Sequence, residues 1–365
     1  MSFWESQPVK ISKNIDEIFS NEKLLYKISN ELEKYNPKLS YNTIFGKDIS
    51  NDKQTEILNF LNQNYIYMND MSFLYSNSLF SYVIRDSIII EFLYDTKCIG
   101  IIIGLRKKII IKKEILEITE VDFLSLSPAF RNLKLAPQMI QILTLESIKN
   151  FGIHRAYYTI SNPIKSECFG TKRMFHRPIN AKILFECGFF SKPITQPKFH
   201  NLRKLEYING INNNELAKNI TYKLSEYSKK TYDIFDCKTQ TDIQDILANK
   251  SFHNFLFYNN HLTDFISLFE IESKNMVKQK SFRNGTLFAM FLSETNVCSI
   301  SKIIDSIAAY CLEHNILDVI TFGDIFKVLD YKQLGCVNGT GILRYYMFNQ
   351  AIPPIENTRN GLMTI

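Results

Sequence analysis

Between Ser87 and Leu126 the chain is built from long runs of β-branched and aromatic residues. SIIIEFLY (87–94) and CIGIIIGL (98–105) flank the turn DTK and read as a hairpin. KIIIKK (108–113) and EITEVDFLSL (117–126) continue the sheet. Ala136 and Pro137 then open APQMIQILTLESIKNFG, a helix that is apolar over a wide face and stops at Gly152. HRAYYTI (154–160) returns as a strand. Strands alternating with a helix place the chain in the α/β (α+β) class.

The later chain repeats this order. FLSLS with MIQILTLESIKNFGIHRAYYT resembles FLSET with IIDSIAAYCLEHNILDVIT, and Phe123 and Phe291 lead the two copies. The second copy has ETNVCSIS where the first has SPAFRNLKLAP, as if a duplicated unit kept its ligand loop once. Residues 14–35 and 52–64 carry apolar residues at helical steps. NGINNN (209–214) is the best linker candidate. A length of 365 residues fits two or three domains.

With 45% hydrophobic and 22% charged residues the composition is that of a soluble globular protein. A net charge of +6 suits an anionic small ligand as readily as nucleic acid. No run of about 18 apolar residues exists to span a membrane, and MSFWESQPVK has no signal-peptide core. The seven Cys form no CxxC pair and His is scarce, which predicts reduced buried thiols in the cytosol and no metal site.

The chemistry concentrates in EVDFLSLSPAFRNLKLAP (120–137). A strand opening into a loop before a helix aims that helix's free N–H groups at the loop and makes an anion site. Arg131 and Lys134 add positive charge. Arg131 to Ala136 is close to the Q/R-x-x-G-x-G/A signature of GNAT acyltransferases, with Lys134 in place of the glycine.

The wider sequence resembles the glycylpeptide N-tetradecanoyltransferases, or N-myristoyltransferases. EVDFL and RNLKLAP stand where that family has E-I-N-F-L and R-S-K-R-L-A-P. FWESQPV is similar to F-W-D-T-Q-P-V, GIHRAYYT to G-I-F-Q-A-V-Y-T, and GTKRMFHRPINAKIL to G-T-C-R-Y-W-H-R-S-L-N-P-K-K-L. LTDFISLF, GILRYYMFN and the final GLMTI resemble V-T-D-F-L-S-F-Y, G-N-L-Q-Y-Y-L-Y-N and G-L-V-L-Q.

The resemblance implies two GNAT-like halves in one continuous, largely antiparallel twisted sheet, divided as 1–205 for acyl-CoA and 206–365 for the peptide. It implies transfer of tetradecanoyl from myristoyl-CoA to an N-terminal glycine amine. The main-chain N–H groups of Phe123 and Leu124 would hold the thioester oxygen, which requires a bulge or a strand end there. The carboxylate of Ile365 would take the amine's proton, with Thr159 beside the amine. Asp122 replaces the family's Asn, and as a carboxylate it would hold the ammonium or serve as a second base. Phe3, Trp4 and the loop Arg131, Asn132, Leu133, Lys134, Leu135 and Ala136 would hold the CoA. Asp70, Tyr75, His176, Ser267 and Phe291 would line the peptide groove. NYIYMND leaves Asp70 alone where the family has an acidic cluster, and GTG puts Thr340 in place of an acid, which sets preference for basic peptides in doubt. The expected partners are glycine-led peptides or proteins, with no nucleic acid, no stable membrane insertion and no metal, for a cytoplasmic monomer. The rival readings are an acyltransferase using a shorter acyl-CoA and an inactive acyl-CoA- or peptide-binding homologue.

Overall fold

The computed structural model describes residues 38–364, apart from 66, 69, 201, 327–329 and 351. The expected helix over 14–35, Phe3, Trp4 and Ile365 lie outside the described residues.

Strand β1 (Leu39–Phe45) leads to helix α1 (Asn51–Asn64), the short hairpin β2 (Tyr67–Met68) and β3 (Met71–Leu74), and α2 (Asn77–Ile84). The expected hairpin follows as β4 (Ser87–Tyr94) and β5 (Lys97–Ile111). KIIIKK is the far end of β5 rather than a separate strand, and it turns at Lys112 and Lys113, both at positive φ, into β6 (Glu114–Leu126). Helix α3 (Leu135–Phe151), β7 (Ala156–Ile160), β8 (Gly170–Pro178) and α4 (Ala181–Glu186) complete the first part. The second part runs β9 (Leu205–Ile208), α5 (Asn214–Thr231), β10 (Ile234–Asp236), α6 (Gln240–Ala248), β11 (Phe252–Asn259), β12 (His261–Asn275), β13 (Lys280–Phe291), α7 (Val297–Glu313), β14 (Val319–Gly323), β15 (Val337–Phe348) and β16 (Asn360–Gly361).

The strands form one mixed sheet whose main path is β1-β4-β5-β6-β7-β15-β8-β14-β13-β12-β11-β9. The path reads alike from either end. In each half three antiparallel pairings are followed by a parallel one bridged by a helix, α3 for β6 and β7, α7 for β13 and β14. At the centre the halves exchange strands: β8, which follows β7, pairs with β14, and β15, which follows β14, pairs with β7. Strand β3 adds a further tie by pairing with β12. The loop after β9 is anchored within the second part: Asn209 donates its amide to the carbonyls of Lys250 and Phe252.

Helix α3 lies close on β5 because CIGIIIGL puts Gly100 and Gly104 beneath it. A Cβ on Gly100 would come within 3.0 Å of Met139, and one on Gly104 within 2.9 Å of Leu143. Gly152 ends α3 at φ 68°, a left-handed cap that glycine adopts without strain. Of the seven Cys, none is in a disulfide; Cys187, Cys311 and Cys336 are buried, and Cys298 is exposed, so the expectation of buried thiols holds for only part of the set. No helix among the described residues is long and apolar enough to cross a membrane, and no three His, Cys, Asp or Glu side chains there are grouped to hold a metal.

Candidate active site

Strands β6 and β7 pair in parallel only over Thr119–Ala156, Glu120–Tyr157 and Val121–Tyr158. Beyond Val121 they part, and the reason lies in β6. Its pairing with β5 shifts register between Ile101–Ser125 and Ile103–Asp122, so Phe123 and Leu124 together stand opposite Ile102. This is a β-bulge, and Phe123 takes φ 53° to make it. The Phe123 ring is fully buried and anchors the distortion against Tyr65, Tyr75 and Phe80, with centroids 5.1, 5.2 and 6.0 Å away. The bulge expected at this pair is present, with the side chain in the core and the backbone at the split.

The split encloses a cavity of about 340 Å³, within the size range of small-molecule sites. Val121, Leu124, Ile140, Ile160, Leu343 and Phe348 give it apolar walls, while Asp122, Thr159 and Ser161 supply polar groups. Thr159 reaches it from β7, where it is held opposite Tyr345 of β15. The exchanged strand of the second half therefore forms part of the wall.

Asp122 is the charged group of this cavity. Its Oδ1 accepts from the Tyr65 hydroxyl at 2.7 Å and from the Phe123 N–H at 2.7 Å. Burial pushes its carboxyl up to about 7, the charge of Glu120 adds to the rise, and the two hydrogen bonds oppose it. Glu120 sits two residues earlier on β6, fully buried, in an ion pair with Lys107.

The loop beyond β6 places the remaining cofactor candidates. Six of the seven described α-helices have a side-chain N-cap, from Ser50, Ser76, Asn180, Asn213, Thr239 and Asn296. Helix α3 has none. Its N-cap position is Lys134 at φ 56°, with no side-chain hydrogen bond. That left-handed conformation gives the physical reason for a glycine at this point of the GNAT signature. Asn132, Leu133 and Lys134 are exposed, Ala136 half-buried and Leu135 buried. Arg131 is committed to the scaffold: its Nε donates to Leu126 O at 3.0 Å, and its terminal nitrogen to Asn64 O at 2.9 Å.

The other expected residues are spread more widely. Tyr75 joins the bulge through its edge contact with Phe123. Phe291 lies on β13 in the same hydrophobic core as Tyr75 and Phe123. Ser267 is fully buried on β12, opposite Ala289. His176 bonds Thr321 Oγ1 through Nδ1 at 2.8 Å, and burial lowers it to about 4. Asp70 occupies the β2–β3 turn at φ 63°, its carbonyl accepting from Met276 N at 2.8 Å. None of these five lines the cavity.

The chain's end turns inward. Strand β16 pairs with β10, Leu362 is fully buried, and Met363 packs against the core that holds Phe123. Lys172 and Tyr345 bond the Leu362 carbonyl. Sequence reading missed Tyr65 and Lys172. Tyr65 stands inside the quoted NYIYMND, but only the fold brings its hydroxyl to Asp122.

An apolar split between parallel strands, a bulged strand lining it and an uncapped helix beside it are features that an acyl-CoA-dependent transferase would use. Residues 19–168 match the family described as Myristoyl-CoA:protein N-myristoyltransferase, N-terminal domain. The chain is 24% identical to a glycylpeptide N-tetradecanoyltransferase of Plasmodium falciparum over 395 residues, 100% of this chain and 93% of that protein. A Neurospora crassa protein of the same name is 25% identical over 290 residues, 72% of this chain and 50% of that one. The fold matches Saccharomyces cerevisiae N-myristoyltransferase with bound myristoyl-CoA at a TM-score of 0.82 and 18% identity, covering 100% of this chain and 99% of the other. Along its whole length the chain is similar to the glycylpeptide N-tetradecanoyltransferases, and the family model covers its residues 19–168.

Proposed function

We propose that the chain transfers a tetradecanoyl group from its CoA thioester to the N-terminal glycine amine of proteins. The observation that carries this reading is the bulge at Phe123–Leu124, set at the mouth of an apolar cavity. A bulge turns main-chain donors out of the ladder, and donors fixed before reaction stabilise an oxyanion without reorganisation. The apolar walls suit a hydrocarbon tail, each buried methylene being worth about 0.8 kcal/mol. The uncapped N-terminus of α3, with Lys134, suits the CoA phosphates. In this reading residues 1–205 take the acyl donor, while residues 206–365 form the peptide groove and bring in the tail.

The amine enters as an ammonium and must lose two protons. Asp122 and Thr159 hold it in the cavity. The carboxylate of Ile365 accepts the first proton, and the docking of residues 360–364 supports its delivery inward. The neutral nitrogen then attacks the thioester carbon while the N–H groups of Phe123 and Leu124 receive the developing oxyanion. As the C–N bond is completed the C–S bond breaks, and the departing sulfur takes the second proton.

Incubation of the purified chain with tetradecanoyl-CoA and a glycine-led peptide tests the reading. Mass measurement should show the tetradecanoyl amide. A chain extended by a few residues after Ile365 should lose most of that turnover. Undiminished turnover would remove the terminal carboxylate from the mechanism, and product only from shorter acyl-CoA would replace the substrate.

A further inference from the structure

The Phe123 N–H, one of the two donors assigned to the thioester oxygen, is already occupied. It donates to Asp122 Oδ1 at 2.7 Å, and the same oxygen accepts from Tyr65 at 2.7 Å. Two donors on one carboxylate oxygen fix the side chain over the Phe123 N–H. Tyr65 is held in turn by a tilted contact with the Phe123 ring, 5.1 Å between centroids. The backbone N–H of the bulge, the carboxylate before it and the tyrosine form one closed unit at the cavity wall.

We propose that Asp122 is a latch that keeps the oxyanion site incomplete until the acceptor amine arrives. This rests on the acyl-transfer reading and extends it. An acyl thioester bound alone meets a Phe123 N–H that is spent on Asp122, so its carbonyl is poorly polarised and water attacks it slowly. An ammonium beside Thr159 offers the carboxylate a charged partner. Asp122 then turns from the N–H to the ammonium, and the freed donor becomes available to the thioester oxygen. A ligand shifts such an equilibrium only through its preference for one state, and the ammonium supplies that preference through its charge. An Asn at this position would accept the same N–H bond, but an ammonium would draw it away far less strongly. The device therefore depends on the carboxylate at this position. Binding of the correct acceptor thereby assembles the catalytic geometry and limits wasteful hydrolysis.

The test measures two rates with tetradecanoyl-CoA: thiol release without peptide, and amide formation with a glycine-led peptide. Asp122→Ala leaves the Phe123 N–H permanently open. Thiol release without peptide should rise about tenfold or more, in line with the worth of one oxyanion donor, while amide formation falls. Tyr65→Phe keeps the ring packing and removes one of the two donors on Asp122, so it should raise the hydrolysis-to-transfer ratio by a smaller factor. If Asp122→Ala fails to fold by circular dichroism, Tyr65→Phe decides the matter. Wild-type transfer combined with an unchanged hydrolysis-to-transfer ratio in the folded variants would overturn the latch and leave the acyltransferase standing. Absence of wild-type transfer would overturn both.

Discussion

Lys172 Nζ donates a 2.5 Å hydrogen bond to the backbone carbonyl of Leu362, tying the exchanged strand β8 to the end of the chain. The Tyr345 hydroxyl reaches the same carbonyl at 3.4 Å, and its ring lies 5.6 Å from the lysine nitrogen. Lys172 is almost wholly buried, and burial lowers its ammonium to about 7, against the pull of Asp236 and Asp324. The unfolded chain keeps that proton up to the ordinary lysine value, so the folded state binds fewer protons between the two. Its contribution to stability therefore grows as pH rises from about 7 toward the usual lysine range. Lys172→Met keeps the bulk but removes both the titration and a bond to a buried carbonyl, the latter costing about 1–3 kcal/mol. Urea midpoints at about pH 6 and about pH 9 should show the variant losing more, relative to wild type, at the higher pH. Equal losses at both would show that Lys172 keeps its charge state across the range.

Lys134 combines a strained backbone with a useful charge. At φ 56° it sits where a side chain is disfavoured by about 1 kcal/mol or more. Lys134→Gly should raise the stability to urea by about 1 kcal/mol. The same change removes a cation from the N-terminus of α3, so KM for the acyl-CoA should rise by roughly three- to tenfold with little change in kcat. A variant that is more stable and equally avid for the acyl-CoA would place the phosphates elsewhere.

The sequence carried the local geometry well and the long-range geometry poorly. Antiparallel runs, helix α3 and its Gly152 stop were legible because periodicity and caps are local signals. The bulge was legible for a different reason: the resemblance assigns two main-chain donors to Phe123 and Leu124, and a strand in a ladder cannot spare two without a bulge or an end. The exchange of β8 and β15 was not. Nothing in GTKRMFHRP specifies β14 rather than β7 as its neighbour, because strand pairing is decided by distant contacts. Lys172 escaped notice for the same reason. In the quoted family pattern its position holds Cys, and only the inward course of residues 360–364 shows what a lysine there would touch.

Ala156 lines the cavity at the register position where β6 and β7 still pair. If the acyl tail fills this cavity as proposed, a larger side chain there takes space from the tail rather than from the thioester. Ala156→Leu should exclude two or three methylenes, a loss of about 2 kcal/mol and so roughly 30-fold in kcat/KM for tetradecanoyl-CoA. A donor shortened by about four carbons should lose far less, and the ratio of the two rates reads the effect directly. Equal losses for both donors would mean that the tail runs away from Ala156.

Asp122 links stability and rate through one ionisation. Its folded carboxyl stands near 7, above the ordinary value of 3.8. The folded protein therefore holds an extra proton between those limits and loses stability as pH rises through them, with no further loss above about 7. Asp122→Asn removes that fall. Its midpoint should resemble wild type near pH 4 and exceed it near pH 8 by about 1–3 kcal/mol, the smaller share expected for a group that keeps two hydrogen bonds. Activity should move the opposite way. In the proposed mechanism the ionised carboxylate holds the ammonium, so wild-type kcat/KM should climb with pH along a limb near 7. The Asn variant should lack that limb and run about 10- to 100-fold slower at pH 8. A variant that retains the limb would assign it to another group, and one that is no more stable at pH 8 would mean that Asp122 carries no buried charge to relieve.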